Sequence, residues 1–118
     1  MQRLIYALDL RDDPQAITEY ESWHQAGKIW PHVLESLRSS GITDLQIYRT
    51  GNRLILIIEA PEGFSPEEKA RADARDAVVQ AWEELMWKFQ SPLPWAQPGQ
   101  KWVPMKSIFS LTEVLRQC

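Results

Sequence analysis

The chain has 118 residues, 44% hydrophobic and 25% charged, with a net charge of −3 from 16 acidic against 13 basic residues. That balance suits one globular domain over residues 1–118 with a two-layer core, and it argues against nucleic-acid binding, which needs clustered Lys and Arg. The longest apolar run (residues 54–58) is too short to span a membrane, no signal-peptide core opens the chain, and the lone cysteine, Cys118, can form no internal disulfide, all as expected of a cytoplasmic protein.

Residues 3–10 alternate in part, with Leu4, Tyr6, Leu8 and Leu10 on one side, and predict a first strand. Asp12-Asp13-Pro14 opens a helix, with an acid at the cap and Pro in the first turn, where no intrahelical donor is lost. This helix runs to about His24 and loosens at Gly27. Pro31 restarts it with Val33, Leu34 and Leu37 as the inward face, and Gly41 ends it. Residues 42–48 and 53–59 predict two further strands, joined as a hairpin through Thr50-Gly51-Asn52. Ser65-Pro66-Glu67-Glu68 is a capping box, and helical pattern follows to about Phe89, in two pieces divided near Arg75-Asp76. Pro92, Pro94, Pro98 and Gly99 mark an extended loop. Residues 106–111 predict the fourth strand, and the tail from Thr112 is ambiguous.

The order β-α-β-β-α-β is that of a ferredoxin-like α+β fold, a four-stranded antiparallel sheet with helices on one face. The third strand is apolar on both sides. The face that the helices leave bare therefore predicts a homodimer packed sheet to sheet, a dimeric α/β barrel.

Tyr20 and His24 are four residues apart, which puts them on one helical face over successive turns. With Trp23 and Ile29-Trp30-Pro31 nearby, they make an amphipathic, sugar-sized surface carrying one proton-transfer group. Histidine is the best candidate acid or base because its unperturbed pKa lies near physiological pH. A purely structural His24 is the alternative, and His32 is expected to be exposed. The six tryptophans are Trp23, Trp30, Trp82, Trp87, Trp95 and Trp102. They can fill a core or stack on the apolar faces of a pyranose. Capping accounts for Asp12 and Asp13, whereas Asp9 and Glu83 could accept hydrogen bonds from sugar hydroxyls. The chain has no Gly-rich phosphate loop, His-Glu-x-x-His helix or Gly-x-Ser-x-Gly elbow, and two histidines do not suggest a metal site.

Taken together, these residues make the chain resemble the L-rhamnose mutarotase family of aldose 1-epimerising enzymes. The resemblance runs from Tyr6-Ala7-Leu8-Asp9-Leu10 through Glu19-Tyr20, His24 and Ile29-Trp30-Pro31 to Ser40-Gly41, Ile47-Tyr48 and Asn52-Arg53-Leu54. It resumes at Gln80-Ala81-Trp82 and Met86 and ends at Pro104-Met105-Lys106 with Ile108-Phe109. It implies a ferredoxin-like dimer that interconverts the α and β anomers of a 6-deoxyhexose without cofactor or metal. It also implies that His24 is the catalytic proton donor, acting on the ring oxygen, that Tyr20 binds the sugar, and that Trp82 is the first of a sugar-binding Trp pair. Trp30 is expected to pack against the ring beside Trp82.

Two positions depart from the family's rhamnose enzymes: Glu83 stands where they carry the second Trp, and Leu45 where they carry a sugar-contacting Tyr. A carboxylate in place of an aromatic face adds acceptors and removes stacking area, which should alter the hydroxyl pattern accepted. Together with the resemblance, in which relatives of this kind handle L-fucose, it implies L-fucose over L-rhamnose. The alternatives are L-rhamnose itself, a non-catalytic sugar-binding dimer with the same pocket, and a cofactorless oxygenase or decarboxylase of the wider dimeric ferredoxin-like group.

Overall fold

The computed structural model of the chain describes residues 1–117, so the Cys118 thiol lies outside the described residues. The three long strands are β1 (Gln2–Leu10), β2 (Asp44–Thr50) and β3 (Arg53–Ala60). β2 and β3 form the expected hairpin: Thr50 pairs with Arg53 across a two-residue turn. Gly51 takes the first turn position at φ +56°, where it carries no Cβ to be strained. β1 pairs antiparallel with β3, placing Leu8 opposite Leu54 and Tyr6 opposite Leu56. Side chains alternate along a strand and paired residues share a side. One face therefore carries Leu8, Leu10, Leu54 and Leu56, and the other carries Ile5, Asp9, Arg53, Ile55 and Ile57.

Four helices follow the expected signals: α1 (Pro14–Trp23), α2 (Pro31–Ser39), α3 (Pro66–Ala74) and α4 (Ala77–Trp87). The side chains of Asp13, Ser65 and Asp76 accept backbone N–H groups at the starts of α1, α3 and α4, satisfying donors that have no partner inside the helix. The break between α3 and α4 falls at Arg75-Asp76, at the expected division of the helical pattern, and Asp76 caps the second piece. Helices and sheet meet in a core that includes Leu10, Ala16, Tyr20, Leu54, Trp82 and Met86. Leu8, Leu10 and Leu54 are at most 1% exposed, each such burial contributing ~1.5–3 kcal/mol. On α2, Val33 is buried as expected, but Leu34 is 50% exposed and does not belong to the inward face. His32 is exposed, yet its Nε2 lies 2.6 Å from Asp76 Oδ2, tying α2 to the cap of α4.

The fourth lane of the sheet differs from expectation. Residues 106–111 form no strand. Two short strands fill the lane instead: β4 (Gln90–Ser91), opposite Leu10 and Asp9, and β5 (Val103–Pro104), opposite Ala7 and Tyr6. The resulting order is β2-β3-β1-β4, with β5 also on β1, which is the ferredoxin-like arrangement with an interrupted edge. The interruption follows from Pro92, Pro94 and Pro98, which have no N–H to give to a ladder. The last rung is Met105 N to Ile5 O at 2.8 Å. Beyond it Ile108 and Phe109 are 90% and 68% exposed, so their apolar character did not signal pairing within the chain. The ambiguous tail holds a short helix, α5 (Leu111–Arg116), capped by Ser110.

Candidate active site

The centre of the site is the frayed end of α1. The His24 amide bonds to Glu21 O at 3.1 Å, a tighter turn that leaves the Tyr20 carbonyl without its intrahelical partner. The His24 ring supplies one, with Nδ1 2.8 Å from Tyr20 O. A carbonyl oxygen can only accept, so Nδ1 carries the hydrogen, and Nε2 of the neutral ring keeps a lone pair. Burial holds the His24 pKa below its ordinary 6.5, only partly opposed by the hydrogen bond to the Tyr20 carbonyl.

The imidazole is held between aromatic rings. Its centroid lies 4.4 Å from that of Tyr20 and 5.8 Å from that of Trp82, edge-on to the latter. Trp82 is itself wedged by Trp30 at 5.3 Å and Trp23 at 6.3 Å. The Tyr20 hydroxyl is pushed up to about 12, chiefly by burial. The phenol therefore stays protonated and can donate at any working pH.

His24, Tyr20 and Trp82 border a cavity of about 300 Å³ between the sheet and the helices, at the small end of the ~300–1,000 Å³ typical of small-molecule sites. Glu83, Gln90, Lys101 and Trp102 border it near the aromatic cluster, and Leu45, Ile47 and Leu56 line its sheet side. Lys101 Nζ donates to the Glu83 carboxylate and, at 3.2 Å, to the Glu83 carbonyl, while sitting 4.7 Å over the Trp87 ring. A second pair, Lys69 with Asp73 at 2.7 Å, also lines the cavity. Among the described residues, no group of three or more His, Cys, Asp or Glu side chains could hold a metal ion, and no helix is long and apolar enough to cross a membrane.

His24, Tyr20, Trp82 and Glu83 thus converge as the sequence suggested. Trp30 and Asp9 do not. Trp30 packs behind Trp82 instead of lining the cavity, so it positions the indole that could touch a ligand. Asp9 points to the opposite face of the sheet, where Arg53 holds it through Nε to Oδ1 at 2.8 Å and Nη2 to Oδ2 at 3.1 Å. The parity of β1 is the cause: Leu8 and Leu10 face the helices, so Asp9 between them cannot. Gln90, Lys101 and Trp102 are among the cavity residues that sequence reasoning did not single out. Gln90 sits in a two-residue strand too short to show periodicity, and the other two follow a proline-rich loop without a motif of its own.

Fold and site together define an α+β small-molecule-binding protein that offers one basic nitrogen, a phenolic donor and an indole to a ligand of about monosaccharide size. The chain belongs to the L-rhamnose mutarotase family, whose family model matches residues 3–111. It is 47% identical over 115 residues to the L-fucose mutarotase of Xanthomonas campestris pv. campestris, covering 98% of this chain and 92% of that protein. Among solved structures it is similar to an L-rhamnose mutarotase from Formosa agariphila, with a TM-score of 0.62, 18% identity, and coverage of 94% of this chain and 99% of that one. It is similar in fold to the tetracenomycin F2 cyclase of Streptomyces glaucescens as well, with a TM-score of 0.62, 14% identity, and coverage of 93% and 98%. Equal TM-scores to a mutarotase and a cyclase mean that the fold does not choose the chemistry. The sequence family separates the two.

Proposed function

We propose that the protein is a mutarotase, an isomerase of the aldose 1-epimerase type, that interconverts the α and β anomers of the 6-deoxyhexose L-fucose. The observation that carries this is the tautomer of His24, which leaves a neutral Nε2 lone pair beside a protonated phenol and an indole in a sugar-sized cavity. Ring opening needs a base for the anomeric hydroxyl and a proton for the ring oxygen. Nε2 takes the proton from O1, the O1 electron pair forms the C1=O1 bond, and the C1–O5 bond breaks with its pair going to O5. The imidazolium then returns the same proton to O5. Because both oxygens are bonded to C1, one nitrogen can serve them in turn. Rotation of the aldehyde about C1–C2 and the reverse steps close the ring on its other face. On this scheme His24 is still the donor to the ring oxygen, but only after acting as base. Such assistance is typically worth ~10²–10⁴-fold.

L-Fucose is favoured over L-rhamnose by the 47% identical relative and by Leu45 and Glu83, both on the cavity wall. Saturation-transfer NMR of the anomeric protons tests the proposal. Added protein should speed exchange of L-fucose more than of L-rhamnose. Binding without faster exchange on either sugar would convert the protein into a sugar-binding module, and faster rhamnose exchange would overturn the substrate assignment.

The working unit in this proposal is a homodimer in the cytoplasm, packed through the bare face of the sheet. Ile5, Ile55 and Ile57 are half-buried on that face, and the chain after β5 leaves Ile108, Phe109, Leu111 and Leu115 at least 60% exposed. Apolar surface of this extent marks an interface. Light scattering should give about twice the 13.7 kDa chain mass, and replacing Ile108 and Phe109 by Asp should yield monomer. A monomeric wild type would refute the dimer.

A further inference from the structure

One polar group in the cavity has no role in the proton transfers above. Gln90 is 5% exposed and pairs with Leu10 across β4 and β1. Leu10 faces the helices, so the Gln90 side chain points the same way, into the cavity that it lines. The two ends of its amide meet different surroundings. Nε2 lies 3.5 Å from Tyr20 Oη. Oε1 is buried and has no hydrogen-bond partner among the described residues.

Buried polar groups in folded proteins are almost always paired, and an orphaned acceptor destabilises the fold. A leucine of similar volume would avoid that cost entirely. Rotating the amide would not remove it. Oε1 would then accept from Tyr20, but both N–H bonds of Nε2 would face the cavity unpaired. In either orientation one end of a buried amide waits for a partner beside Tyr20.

We propose that Gln90 is a substrate-binding residue: its Oε1 accepts a hydrogen bond from a hydroxyl of the bound sugar, while its Nε2 engages the Tyr20 oxygen and turns the phenolic hydrogen toward the same ligand. The chemistry of the surroundings selects the ligand class. Gln90 Oε1, His24 Nε2 and the Glu83 carboxylate are three acceptors on one cavity, so the ligand must supply several hydrogens of its own. A polyol does this, whereas a phosphate or carboxylate chiefly accepts, and the two lysines that could receive it, Lys101 and Lys69, are already paired with Glu83 and Asp73. The inference rests on the sugar reading and deepens it by naming the group that reads a particular hydroxyl.

Tryptophan fluorescence titration with L-fucose, run beside thermal unfolding, tests this without relying on turnover. In Gln90→Leu the dissociation constant should rise about three- to tenfold, the loss expected for one neutral hydrogen bond. The unfolding midpoint should hold or rise, because the orphaned acceptor is gone. Among monodeoxy analogues of L-fucose, the one lacking the read hydroxyl should bind wild type and Gln90→Leu equally. Gln90→Met, of similar volume but unbranched, should repeat the pattern. If both variants bind L-fucose as tightly as wild type, or lose stability and affinity together with no analogue singled out, Gln90 only fills space. A wild type that binds no aldose refutes the sugar reading itself, an outcome separate from failure of the Gln90 assignment alone.

Discussion

His24→Asn separates the two jobs that the imidazole does. The side-chain amide nitrogen of Asn reaches the place now held by Nδ1, so the 2.8 Å bond to the Tyr20 carbonyl and the end of α1 are retained. What disappears is Nε2 and the outer half of the ring. The lost ring contacts, with Tyr20 at 4.4 Å and Trp82 at 5.8 Å, should cost about 0.5–1.5 kcal/mol in stability. The lost base should slow anomer exchange by ~10²–10⁴-fold, about 2.7–5.4 kcal/mol at 1.36 kcal/mol per factor of ten. Catalysis should therefore fall by much more than stability. His24→Ala removes the carbonyl's partner as well and should be less stable than His24→Asn by roughly 0.5–1.5 kcal/mol, with no further loss of rate. Saturation transfer on the L-fucose anomers measures the rate and urea denaturation the stability. If His24→Asn keeps exchange within twofold of wild type while His24→Ala unfolds, the histidine is a helix cap and the proton-transfer scheme is wrong.

The pH profile gives a second check. Burial lowers the His24 pKa below 6.5 in the folded chain, so exchange should be level above that value and fall as pH drops through the lowered one, where Nε2 gains a proton. A rate that climbs on acidification would mean that imidazolium is the resting donor. The same shift leaves the unfolded chain binding more protons than the folded one between the two values. The stability that burial of the neutral ring contributes is thus fully present above 6.5 and lost as pH falls through the folded value, which denaturation at pH 7 and pH 5 would register. Specificity is testable at the cavity wall: Glu83→Trp with Leu45→Tyr should move the fucose-to-rhamnose rate ratio toward rhamnose by about tenfold or more, the scale on which single pocket groups discriminate. An unchanged ratio would show that neither residue reads the sugar.

How much of this was legible in the sequence depends on the range of the signal. The hairpin needs only Gly51 and two apolar runs, the α3/α4 break needs only the cap at Asp76, and the Tyr20–His24 pair needs only helical spacing. Each is local, and each is found where it was expected. The fourth lane is not local. Gln90–Ser91 and Val103–Pro104 become strands only because β1 offers a free edge, and Ile108 and Phe109 look like a strand because they are apolar, although they lie exposed beyond the last rung. Asp9 failed for a different reason, since the alternation that placed Leu8 and Leu10 on the core side already sent it to the other face. Trp30 sits one layer too far back, a distinction between lining a pocket and supporting its wall that spacing does not encode.

Structural and catalytic readings of His24 look like rivals when only the sequence is considered, because one side chain seems to have one use. At the end of α1 they occupy different nitrogens. Nδ1 satisfies the carbonyl that the helix abandons, and that bond settles the tautomer and leaves Nε2 its lone pair, so in the proposed scheme the structural contact also produces the base. The arrangement also explains why burial helps here: desolvation that would disable a resting imidazolium donor keeps a neutral acceptor ready at physiological pH. Aromatic neighbours then hold the ring, and Trp23 and Trp30 do the same for Trp82. The residues that should tolerate change least are therefore two shells deep. Replacing Trp30, which does not line the cavity, should impair exchange by loosening Trp82 and His24, whereas replacing Asp9 or Arg53 on the far face should leave exchange intact within one folded protomer.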